Sequence, residues 1–225
     1  MASGRILPNA DAALRLELTY HSNAIEGNTL SLRETQLVLE GITPPGGKSV
    51  REVCEARNHE RAFGVVEAWA SARSPRGPIV EADLLAVHGA VLADIDATSA
   101  GRFRSQRVLI AGTRSVPPGA HRFDELVPAT LGLANQADVH PLLRAAELHY
   151  NLAAVHPFND GNGRTARLMM NYLLLRHGFP LAIIEIGERG AYLTALDEAN
   201  SGRLLPFTRL VIAATTRSLN RLVGG

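Results

Sequence analysis

The chain has 225 residues, of which 46% are hydrophobic and 20% charged, an ordinary globular composition that excludes a fibre or an unstructured tail. Its 23 basic and 22 acidic residues nearly cancel, so no global field would draw it to nucleic acid or anionic lipid, and any phosphate binding must be local. The single cysteine, Cys54, excludes an intrachain disulfide and reads as a buried, inert thiol. With no cleavable leader at the start and no stretch long and uncharged enough to cross a bilayer, a cytoplasmic protein is expected.

Helix is the expectation for most segments, because Ala, Leu and Arg are abundant and β-branched runs are short. Leu14, Leu18, His21 and Ile25 give a first helix one buried stripe that ends near Gly27. Ser31 with Glu34, then Ser49 with Glu52, form two capping boxes; the first opens a short helix ending at Gly41, the second a long one running to about Ala72. A further helix carries Leu84, Leu85, Val87, His88, Val91 and Leu92, another begins near Asp124, and Pro141 suits the first turn of the next. The convincing β signal lies between Arg107 and Pro117, where two short β-prone runs flank Gly112 and Thr113 as a hairpin. Helices ending at Gly178, near Gly202 and at the C-terminus complete the chain. The reading is a single globular unit, with N-terminal helices over residues 1–45 and the main domain over 46–225.

"HPFNDGNGRTAR", His156 to Arg167, concentrates the chemistry. Pro157 disfavours helical geometry at His156, and helix resumes at about Arg164, so a glycine-containing turn feeds a helix N-terminus, where free N–H groups suit an anion. This is not the usual nucleotide loop, since it lacks the Gly-Lys-Ser/Thr ending and follows no predicted strand. Asp160 supplies a hard oxygen for magnesium, Arg164 and Arg167 lie one turn apart where their forks reach phosphates, and His156 can take a proton near neutral pH. The set points to nucleotidyl or phosphoryl transfer.

The stretch resembles the signature of the Fic family, His-Pro-Phe-x-Asp/Glu-Gly-Asn-Gly-Arg-x-x-Arg, with every fixed position present, and the likeness extends through "GRFRSQRVLIAGTRSVPP" and "AYLTALDEANSGRLLPF". It implies an all-α fold with one β-hairpin flap, and transfer of AMP from ATP to a protein Ser, Thr or Tyr hydroxyl. On that resemblance His156 is the base, Asp160 the Mg2+ ligand, and Asn162 with the Gly161 and Gly163 backbone the α-phosphate cradle. Arg164 and Arg167 hold the β- and γ-phosphates, and Phe158 anchors the loop. Tyr192 and Asn200 are the expected nucleoside contacts, although Leu193 stands where many relatives carry a second tyrosine. The flap, Val108, Leu109, Ile110, Ala111, Gly112 and Thr113, would pair with an extended target segment through main-chain hydrogen bonds.

"SNAIEGN", from Ser22 to Asn28, resembles the inhibitory motif Ser/Thr-x-x-x-Glu-Gly/Asn of those Fic proteins that carry an N-terminal autoinhibitory helix, which assigns Ser22, Glu26 and Gly27 to a lock. Glu26 meets the negative end of its helix dipole and benefits from a cation, and the resemblance names Arg167 as that partner. Four alternatives stay open: an enzyme that also removes AMP using Glu26, a Doc-like kinase, a silent nucleotide-binding module, and a metal hydrolase built on His149 and His156, which lacks a third ligand. The resemblance also suggests a homodimer.

Overall fold

A computed structural model describes residues 10–72, 77–109 and 116–224. Among these residues nine α-helices follow in chain order: α1 Ala10–Ile25, α2 Leu32–Leu39, α3 Val50–Ala70, α4 Glu81–Leu92, α5 Phe123–Ala134, α6 Pro141–Val155, α7 Asn162–Arg176, α8 Arg189–Asn200 and α9 Leu205–Val223. Both capping boxes form: the hydroxyls of Ser31 and Ser49 accept from the N–H groups of Glu34 and Glu52, whose carboxylates accept in return from the cap residues. Among the described residues no strand is present. No helix among them is long and apolar enough to cross a membrane.

The helical pair α6–α7 forms the centre, with α3 and α4 packed on one side and α5, α8 and α9 around it. Helix α7 is buried almost all round, from Asn162 through Leu174, because Leu168, Met169, Met170, Leu173 and Leu174 point in several directions at once. Helix α1 is part of the same core. Its Leu14, Leu18 and Ile25 are 2%, 2% and 3% exposed, while His21 stays half-buried and accepts the Ile186 N–H at Nδ1, 3.1 Å away. Cys54, on α3, is half-buried rather than buried.

The hairpin expected between Arg107 and Pro117 is not seen. Val108 and Leu109 belong to no strand, Leu109 being largely exposed, and Ile110, Ala111, Gly112 and Thr113 lie outside the described residues. What is built is the base of that excursion. Arg104, 2% exposed, donates from Nη1 to the Gln106 carbonyl (2.6 Å) and from Nη2 to the Pro118 carbonyl (2.7 Å), tying together two points 12 residues apart in the chain.

Candidate active site

The turn between α6 and α7 takes its shape from two left-handed residues. His156 caps α6 at φ 49° and ψ 58°, unusual for a side chain with a Cβ, and Gly161 opens α7 at φ 75°. A Cβ at Gly161 would sit 3.2 Å from Val91 Cγ1 and 3.5 Å from the His88 ring, so both conformation and space favour glycine there. Helix α7 begins at Asn162, two residues earlier than the pattern suggests, because Gly161 can adopt the entry conformation.

Inside the turn both ends of the Asn162 amide are engaged: Oδ1 accepts the Phe158 N–H at 2.9 Å and Nδ2 donates to the Phe158 carbonyl at 2.8 Å. Its side chain therefore holds the loop closed. What it and Gly163 offer an anion is main-chain N–H at the first turn of α7. Phe158 is 1% exposed and stacks on His88, with ring centroids 3.6 Å apart and planes within 6°.

His88 is a positioning residue that the pattern hid inside an apolar stripe. Its Nδ1 accepts the Gly101 N–H at 3.0 Å, so the ring proton resides on Nε2 and is donated to the Asp160 carbonyl, also at 3.0 Å. Burial presses its pKa to about 4, keeping the ring neutral. Arg104 is another: its Nε donates to the His156 carbonyl at 2.8 Å, linking the base of the excursion to the turn.

The His156 ring leans on the Ala153 carbonyl, 3.4 Å from Nδ1, which leaves the Nε2 lone pair for an incoming proton. Burial, with the Arg104 charge, holds its pKa below the ordinary imidazole value. Asp160 is half-exposed. Its Oδ1 accepts from the Gly161 N–H at 2.5 Å and lies 3.2 Å from Arg164 Nη2, while Oδ2 meets Arg51 Nη2 of α3 at 2.5 Å. Burial alone would raise its pKa, but Arg164, the Gly161 N–H and Arg51 together hold it below the usual carboxylate value. Among the described residues no three His, Cys, Asp or Glu side chains could hold a metal by themselves. One accessible carboxylate is nevertheless what Mg2+ uses when phosphate oxygens and water supply the rest, so Asp160 fits that ion.

Arg164 and Arg167 are both 2% exposed. Arg164 lies between Asp160 and Glu55 Oε1, the latter 3.4 Å from Nη1. Arg167 is enclosed by the α1 terminus: Nε donates to Ser22 Oγ (2.9 Å), Nη2 to the Ser22 carbonyl (2.8 Å) and to Glu26 Oε1 (2.7 Å), and Nη1 to the Tyr192 hydroxyl (3.4 Å). Glu26 thus engages Arg167 through one oxygen. A Cβ on Gly163 would collide with the Glu26 carboxylate and lie 3.1 Å from Arg167 Nη1, so the carboxylate rests against the first turn of α7, where an anion belongs. Burial alone would lower the Arg167 pKa; Glu26 and Tyr192 outweigh it and raise it. Gly27, at φ 98°, turns the chain away immediately afterwards.

Tyr192 is 3% exposed and packed against Phe207 and His149, its hydroxyl 3.2 Å from His149 Nε2, so it supports Arg167 from the interior. His149 is fully buried with its pKa pressed to about 3 by burial, then by Arg167. It belongs to that polar network, not to a metal site. Asn200, the last residue of α8, is exposed.

Residues 78–174, from the segment before α4 through most of α7, match the Fic/DOC family. The chain belongs to that family. Protein adenylyltransferase Fic of Culex quinquefasciatus is 37% identical over 217 residues, 95% of this Fic chain and 43% of that protein. Fic-1 from Caenorhabditis elegans superposes with a TM-score of 0.87 at 34% identity, covering 97% of this chain and 66% of the solved one. A Fic domain containing signaling protein from Bacteroides thetaiotaomicron gives 0.83 at 26% identity, covering 97% and 92%. The chain spans less than half the length of the curated relatives it matches.

Proposed function

We propose that this Fic chain is a protein adenylyltransferase that moves AMP from ATP onto a Ser, Thr or Tyr hydroxyl of a protein and is held back by Glu26. The observation that carries the proposal is His156 at the mouth of the α7 anion site, with Nδ1 turned to Ala153 and Nε2 left as a proton acceptor. The names of the curated relatives support the same reading.

In the reaction the acceptor oxygen attacks the α-phosphorus, the bond from that phosphorus to the bridging oxygen of the β-phosphate breaks, and pyrophosphate leaves. His156 Nε2 takes the hydroxyl proton. The first-turn N–H groups of α7 receive the α-phosphate, Arg167 takes the γ-phosphate once Glu26 withdraws, and Arg164 steadies Asp160. Mg2+, held by Asp160 and phosphate oxygens, would neutralise charge on the polyphosphate. The excursion after Arg107, including Ile110 to Thr113, is the expected docking edge for the target, and Asn200 the expected nucleoside contact. Residues 1–45 are read as the inhibitory part and 46–225 as the catalytic part. A homodimer enters on the resemblance alone, and sedimentation of the purified chain tests it.

The decisive experiment is mass spectrometry of wild type, Glu26→Gly and Glu26→Gly/His156→Ala after incubation with ATP and Mg2+, with and without a cell extract. An AMP adduct enriched by the first substitution and lost with the second is expected. A phosphate adduct would reassign the chain as a kinase, and nucleotide binding with no adduct in any sample would favour a binding module.

A further inference from the structure

A cavity of 260 Å³ lies at the opposite end of the α6–α7 pair from His156. The 15 residues of α7 separate the two places by roughly 21 Å at 1.5 Å per residue. Ile79, Ala134 and Leu173 form its apolar wall, and Arg144, Arg176 and His177 its polar one. Asn135 also lines it, but both ends of its amide are spent on the Ile79 backbone, so it is structural.

Arg144 is a buried cation held by neutral partners only. It is 5% exposed and sits in the first turns of α6, yet no carboxylate lies within ion-pair distance among the described residues. Its Nη1 donates to the Ala134 carbonyl at 3.3 Å and its Nη2 to His177 Nε2 at 3.1 Å, while Nε–H has no acceptor. The neighbouring Arg176 adds charge of the same sign. Burial first and Arg176 next lower the Arg144 pKa, with only the exposed Asp138 opposing; burial, Arg144 and Arg176 lower that of His177. Arg176 answers the C-terminal dipole of α7, stacks on Tyr172 and donates to the Gly77 carbonyl, so its position has local reasons. Arg144 has only its two neutral partners, the Ala134 carbonyl and His177, and an enclosed guanidinium without a counter-charge destabilises a fold.

We propose that this cavity binds a small oxyanion, a phosphate or carboxylate group on a compact and largely apolar body, with Arg144 and Arg176 as its charge partners. The volume falls just below the range of pockets that take drug-sized molecules, so a whole nucleotide is too large. The guanidinium fork suits either oxyanion. The proposal is independent of the transferase reading, because none of these residues touches the His156 turn.

The test is amide NMR of the full chain titrated with inorganic phosphate and, separately, with succinate. Saturable shifts at Ile79, Leu173 and His177 are expected with at least one probe, and which one saturates identifies the group preferred. Affinity should fall about tenfold or more in Arg176→Ala and in Arg144→Lys, which keeps the charge but loses the fork. An unchanged spectrum away from the cavity certifies that each variant is folded, and should Arg144→Lys fail to fold, Arg176→Ala alone decides. Shifts confined to the first turn of α7, equal binding by wild type and Arg176→Ala, or no saturation up to about 10 mM of either probe would overturn the assignment.

Discussion

Replacing Glu26 by glycine is the perturbation whose size follows most directly from the geometry. The carboxylate gives Arg167 one charge-assisted hydrogen bond at 2.7 Å, and such bonds contribute about 1.5–3 kcal/mol. The other partners of the guanidinium, Ser22 and Tyr192, are neutral, so after the substitution a γ-phosphate is the counter-charge on offer. If the two anions compete for Arg167, affinity for ATP should rise roughly 10- to 100-fold. The Glu26 side chain also rests against Gly163, so its loss clears the α7 first turn at the same time.

The same substitution should lower folding stability. Breaking a buried ion pair typically costs about 3–5 kcal/mol, but Glu26 is 39% exposed and water screens its share, so a loss of about 1–3 kcal/mol is expected. Calorimetric titration with a non-hydrolysable ATP analogue and Mg2+ measures the first effect and urea unfolding the second. A Glu26→Gln variant, which keeps a hydrogen-bonding oxygen without the charge, should fall between wild type and Glu26→Gly in affinity. Equal affinities for all three would refute competition at Arg167, whatever happens to activity.

Arg104→Ala should remove about 2–4 kcal/mol of stability in urea titrations, because three carbonyls, those of Gln106, Pro118 and His156, lose a cationic donor; a loss under about 0.5 kcal/mol would mean that water replaces it. Arg51→Ala should lower the Mg2+ concentration needed for half-maximal ATP binding only about two- to fivefold, since the competing Arg51–Asp160 pair is exposed and such pairs contribute about 0.2–1 kcal/mol; a variant that needs more Mg2+ than the wild type would contradict this. His59 and His149 are pressed to about 3 and His88 to about 4, each by burial first, from an ordinary value of 6.5. The unfolded chain therefore binds protons that the folded one refuses, and stability should fall as pH drops below 6.5, by about 1.4 kcal/mol per unit per histidine; a urea midpoint no lower at pH of about 5.5 than at neutrality would show that these rings protonate in place.

The helices and their beginnings were legible because each rests on local chemistry. Ser31 and Ser49 with their glutamates cap within four residues, and the α1 stripe is a simple periodicity. The His156 to Arg167 segment was legible for the same reason, as proline and glycines dictate the turn wherever it is placed. The roles of Arg104, His88 and Arg51 were not, since each acts on a backbone or carboxylate far away in the sequence: His88 reaches the Asp160 carbonyl across 72 positions and Arg51 its carboxylate across 109. An apolar stripe gives no hint that one of its members is a ring with two specific partners. Tyr192 illustrates the converse. Its motif suggested a nucleoside wall, but the side chain points inward to Arg167, because the hydroxyl finds its partners, His149 and Arg167, in the interior.

Burial decides how the proposed Glu26 lock would open. Undocking α1 would expose Leu14, Leu18 and Ile25, at about 1.5–3 kcal/mol each, and would also break the Thr19–His59 bond at 3.1 Å and the Arg15–Glu60 bond at 2.6 Å. A sum of roughly 5–9 kcal/mol from the three apolar side chains alone approaches the whole stability of a domain. Turning the Glu26 side chain away costs one hydrogen bond and leads directly into solvent, since the residue lies just past the end of α1 and is 39% exposed. Release of the proposed lock is therefore expected to proceed by side-chain rotation on a helix that stays in place. Hydrogen exchange of the α1 amides from Leu14 to Ile25 should accordingly be as slow in the nucleotide-bound chain as in the free one. Faster exchange along that helix on addition of ATP analogue and Mg2+ would instead mean that nucleotide entry lifts α1, and the cost of that movement would then have to appear as a much weaker affinity than the loss of a single hydrogen bond allows.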